Sequence, residues 1–121
     1  MASIFEATAG KLIGPTTGGT VTQATSKATG VTLNTASGQI TLDDAALAAA
    51  AEVTFAVTNS EIAATDVVVV NHSSAGTAGA YLVQANTIAA GSFAITVANL
   101  SAGSLGEAIV VSFVDLKGAS S

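Results

Sequence analysis

Cysteine, tryptophan and arginine are absent from this 121-residue chain, and proline, histidine and tyrosine occur once each. Without cysteine there is no disulfide, no thiolate chemistry and no cysteine-ligated metal. Without arginine, and with only Lys11, Lys27 and Lys117 against eight acids, the formal net charge is −5. Nucleic-acid binding needs clustered cations that displace phosphate counterions, and an anionic membrane surface attracts basic patches. The composition argues against both, so neither nucleic acid nor membrane is expected as a partner. No apolar run comes near the ~20 residues that span a bilayer. The opening MASIFEATAGKLIG lacks the charged start and continuous apolar core of a secretory signal. Synthesis and retention in a cytoplasm follow as the expectation, and the Asn-x-Ser matches at Asn71 and Asn99 are then without meaning.

What is present is small and apolar. Half of the residues are hydrophobic, but they are mostly alanine and valine, and the aromatics are Phe5, Phe55, Phe93, Phe113 and Tyr81. A core of such side chains gains less per residue, at ~25 cal/mol per Å² buried, so support from subunit contacts is expected. Residues 1 to 18 stand apart: Ile4, Phe5, Leu12 and Ile13 follow no sustained period and precede GPTTGG, a turn-rich break. This segment reads as an N-terminal arm, and residues 19 to 121 as a β domain.

From Gly19 onward the period is two, as in strands. EVTFAVTN puts Val53, Phe55 and Val57 on one face; SFAITVANL does the same with Phe93, Ile95 and Val97. EAIVVSFVDL aligns Ile109, Val111 and Phe113, and DVVVV is apolar on both faces, as in a fully covered strand. Turn signals (Asn59-Ser60, SSAGTAG, AAGS, SAGSLG) separate the runs. About eight short antiparallel strands spaced by ~8–12 residues predict an all-β domain, a β-sandwich or jelly roll. One stretch is ambiguous. LDDAALAAAAE, 42 to 52, has a capping aspartate and strong helix formers, but Leu47 is its one large apolar side chain for docking a helix, so helical turns and a small-residue loop both remain open.

His72 is the obvious candidate for catalysis or metal binding, beside Ser73, Ser74 and Asp66. No G-x-S-x-G elbow accompanies it, and one histidine without cysteine makes no common zinc site. It is expected to end a strand and face solvent or a neighbouring subunit. GTAGA lacks the lysine and the following Ser/Thr of a phosphate loop and reads as a hairpin loop between two strands. Asp43-Asp44 with Glu52 does not form a D-x-D-x-D-G calcium loop. Glu61, Asp66 and Glu107 fall at strand starts or turns, where they keep edges soluble, and no carboxylate pair stands out. No enzymatic activity, cofactor or metal is expected.

The phrases VTQATSKATGVTLNTASGQITL, AALAAAAEVTFAVTNSEIAATDVVVVN and GTAGAYLVQANTIAAGSFAITVANLSAGSLGEAIVVSFVDLK carry a resemblance over about four-fifths of the chain. From about Thr22 to Lys117 it resembles a small β domain of tailed-bacteriophage virion proteins, met in capsid decoration (cement) proteins and in fibre or tail proteins. The resemblance implies a structural module with no catalytic residues, a homotrimer, and the major capsid protein as partner. Its place is then the capsid surface of the virion, after synthesis in the host bacterial cytoplasm. The short arm favours a decoration subunit docking through Ile4, Phe5, Leu12 and Ile13; the alternative is a fibre or tail module that binds a host receptor or glycan, for which Tyr81 is the plausible stacking aromatic.

Overall fold

Strand alternation becomes two packed sheets in the computed structural model, which describes residues 18–118. The arm, with Ile4, Phe5, Leu12 and Ile13, lies outside the described residues. Eight strands follow in chain order: β1 Gly19–Thr22, β2 Val31–Thr32, β3 Ser37–Thr41, β4 Glu52–Thr58, β5 Val67–Ser74, β6 Tyr81–Ala89, β7 Ser92–Asn99 and β8 Val110–Leu116. They form two four-stranded sheets, ordered β1-β3-β8-β5 and β2-β4-β7-β6, a small β-sandwich with no helix among the described residues.

The predicted faces are the buried ones. Phe55, Val57, Phe93, Ile95, Val97, Ile109, Val111 and Phe113 all lie in the core with Ile40 and Leu42, and the rings of Phe93 and Phe113 meet at 5.4 Å between the sheets. Burying each such side chain contributes ~1.5–3 kcal/mol relative to exposure.

Three expectations are corrected. The strands are not all antiparallel: β1 runs parallel to β3, and β2 to β4. The chain switches sheet at each of its first connections, so β3 returns beside β1 and β4 beside β2, each in the same direction. Second, DVVVV is not covered on both faces within one chain. β5 is an edge strand whose Val67 and Val69 are exposed. Third, β5 and β6 make no hairpin, because they belong to different sheets and SSAGTAG crosses the end of the sandwich. The hairpin is β6–β7, closed at Ala89 and Ser92, where Gly91 takes φ +85°, a backbone state open to glycine at low cost.

The ambiguous stretch 42 to 51 is a loop. Leu47 exchanges both backbone bonds with Leu105, at 2.9 and 3.0 Å, and Leu42 N–H donates to Ile109 at 2.8 Å. Alanine's helix preference is worth tenths of a kcal/mol per residue. Burial of Leu42 and Leu47 together with these bridges outweighs it.

Candidate functional site

The strand-crossing loop after β5 borders an open cleft of about 280 Å³, lined by residues that include His72, Ser73, Ser74, Gly76 and Tyr81. Strand parity puts His72 on the inner face with Val68 and Val70, so it is half-buried and does not simply face solvent. Its ring meets Tyr81 edge-on at 5.4 Å. Nε2 lies 3.1 Å from the Ser74 carbonyl and 2.7 Å from that of Ala75. Both are acceptors only, so Nε2 carries the proton and donates it. Ser73 Oγ donates to the Val110 carbonyl at 3.1 Å. A nucleophilic serine needs the histidine nitrogen as its acceptor; here each group has another partner.

Glu107 clamps the same loop. Its carboxylate accepts from the Thr77 N–H at 2.9 Å, from Thr77 Oγ1 at 2.8 Å and from Tyr81 OH at 2.7 Å. These bonds, the Tyr81 one first, hold Glu107 below its usual pKa, and burial followed by the carboxylate pushes the Tyr81 phenol up. Gly76, at φ +75°, passes so close that an added β-carbon would lie 2.6 Å from Ile109 Cγ2 and 2.8 Å from Glu107 Oε1. Glu107 is therefore a tether rather than an edge charge. Tyr81, only 8% exposed, offers no stacking face, and all the aromatic residues among the described ones are buried.

A second polar layer adjoins this end. Lys27 is buried, and its ammonium donates to the carbonyls of Asp43 and Glu107, the latter at 2.7 Å. Burial lowers its pKa against the opposing pull of Asp43, Asp44 and Glu107. Gln23 satisfies its own amide by donating to Lys27 and Thr29 carbonyls and accepting from Asp43 N–H. Asp43 does cap, but a turn: its Oδ1 accepts Ala45 N–H at 2.8 Å. Asn99 is likewise consumed, donating to Leu47 and Gly103 and accepting from Ser101.

At the opposite end lies a carboxyl pair that sequence reading missed. Asp66 and Asp115 are both buried, brought together because Val67 pairs with Leu116 across β5 and β8. Lys117 Nζ sits 3.0 Å from Asp66 Oδ2, 3.3 Å from Asp115 Oδ2 and 2.6 Å from the Glu61 carbonyl. Asp66 is held down to about 2, first by the Ala63 N–H at 2.9 Å and then by the Asp115 carboxyl. Asp115 is pushed up to about 6, mainly by burial and then by Asp66. Both Asp115 oxygens are buried without a hydrogen-bond partner, with the Lys117 ammonium as the cation beside them. The pair opens into no described cleft, and no cluster of three metal-ligating residues occurs among the described residues. Comparison with protein-family models, with curated proteins and with solved structures finds no match to this chain.

Proposed function

We propose that this chain is a structural subunit of a tailed-bacteriophage virion, a homotrimeric decoration protein that docks on the major capsid protein and stabilises the lattice, without catalytic activity or cofactor. The virion assignment rests on the resemblance over residues 22 to 117. What supports a packing role is one observation: the polar groups that chemistry would require are tied up internally, while apolar side chains are left outside. His72, Tyr81, Glu107 and Lys27 all hold the fold's own loops, and Val67, Val69 and Leu116 stand in water. A subunit that bridges neighbouring capsomers adds contacts present only in the assembled shell and stabilises it by mass action. Glycan binding by a fibre module is disfavoured by the burial of Tyr81.

The test is addition of the purified protein to phage particles that lack it. Regularly placed extra density by electron microscopy and greater resistance of the particles to heat are expected. Particles left bare at saturating protein, or a signal on a glycan array instead, refute the decoration reading.

A further inference from the structure

The sheet β1-β3-β8-β5 is inverted at one end. Val111 and Phe113 fix its register by facing the core, so that Val114 and Leu116 point outward while Asp115 points in. Pairing of Val67 with Leu116 and of Val69 with Val114 sets four apolar side chains together on the outer face. Val67 is 55% exposed, Val69 49% and Leu116 41%. A solvated sheet face calls for the reverse choice, polar outside and apolar inside. Contiguous exposed apolar side chains of this kind are often functional on a monomer's surface.

The patch borders an unguarded edge. β5 ends the sheet order, so among the described residues one row of its backbone groups has no strand partner. Edge strands are ordinarily protected by charge, proline, brevity or a bulge. Val67 to His72 has none of these, and the bulge comes only between His72 and Ser74. The other sheet is protected: β2 has two residues, and β6 is bulged between Asn86 and Ala89.

Charge selects the occupant. No strand of this sheet carries an ionisable side chain on its outer face, in a chain of net charge −5. Copies of an acidic chain repel where their acids meet, and across this face they meet none. A cationic partner would find nothing to pair with. We infer that the outer face along β5, centred on Val67, Val69, Val114 and Leu116, is the surface through which copies of this chain pack against one another. The inference rests on the self-association in the proposed function and is independent of the capsid.

The decisive comparison is sedimentation velocity of the full chain over a micromolar concentration series. Wild type is expected to sediment as an oligomer. The pair Val67→Lys with Val69→Lys, folded by circular dichroism, should sediment as single chains, with self-association weakened at least tenfold. Thr54→Lys with Gln84→Lys, on the other sheet's outer face, should leave the oligomer intact. A monomeric wild type, a lysine pair that associates like wild type, or dissociation only by the control pair each overturns the inference. Should the lysine pair not fold, Val69→Cys in this cysteine-free chain supplies the answer: a short bis-maleimide joins copies if the faces meet, and leaves only single chains if they do not. Failure of wild type to bind particles refutes the capsid reading alone. An oligomer that survives the lysine pair while particle binding is lost assigns the face to the capsid protein and overturns this inference.

Discussion

On the outer face of the β2-β4-β7-β6 sheet, Thr54 and Thr96 join hydroxyls at 2.8 Å and Asn86 donates to Thr96 at 3.0 Å. On the outer face of the other sheet the corresponding side-chain bond, from Gln39 to Ser112, is stretched to 3.4 Å, and valines take over toward β5. The first face is finished at its centre within one chain: its central polar groups satisfy each other, and its large exposed apolar side chains, Leu82 and Leu100 just past the end of β7, lie toward one end. The second is unfinished, with apolar side chains in water and a carboxyl beneath them. Both sheets have the same strand number and the same kind of interior. The difference therefore teaches that the alternation which builds a sandwich places no demand on what its exterior is for.

The largest effects should ignore the distinction, because the core lies beneath both faces. Phe55→Ala in one sheet and Phe113→Ala in the other are each expected to destabilise by about 3–5 kcal/mol, seen as lowered denaturant midpoints. A large effect in one sheet alone would show that the two do not share a core.

The inward acid is specific to the unfinished sheet and should appear in the pH dependence. Burial raises Asp115 to about 6, so the folded chain holds that proton more tightly than the unfolded one. This contribution is fully present below the ordinary value of 3.8 and is lost as pH rises through about 6. Asp66, held near 2, contributes above its ordinary value of 3.8 and loses that contribution as pH falls toward 2. Asp115→Asn should abolish the decline between pH 4 and 6, whose slope is at most ~1.4 kcal/mol per pH unit for one proton, and keep the decline at lower pH. An unchanged slope in urea titrations would mean that the carboxyl titrates normally.

A smaller pair of changes sharpens the contrast between the faces directly. Thr96→Val strands the Asn86 amide and the Thr54 hydroxyl and should cost about 1–2 kcal/mol, whereas Ser112→Val should stay within ~0.5 kcal/mol. Equal costs would erase the difference between finished and unfinished faces. His72→Ala lies between these two, expected to lose about 1 kcal/mol from its carbonyl bonds and its contact with Tyr81. Binding to particles should be unaffected; its loss would give the cleft a function that the present reading denies it.

Fold class and the buried faces were legible in the residues because period two is a property of each strand by itself: Val53, Phe55 and Val57 share a face whatever they pair with. The narrow choice of reactive side chains was legible for an equally local reason, since one histidine and no cysteine are a matter of composition in any fold. Strand partnership was not, because alternation names a strand's faces and leaves its edges anonymous. Hence the parallel pairs β1–β3 and β2–β4, the crossing between β5 and β6 and the exposed edge of β5 appeared only in three dimensions. The fate of the charges was hidden for the same reason. Glu107 and Lys27 meet across 80 positions of sequence, and Lys117 reaches Asp66 across 51. Whether an acid is a solvated guard or a buried partner depends on what the fold places beside it. Composition by itself determined which side chains this chain has for chemistry, and tertiary pairing alone decided which of its valines were left exposed.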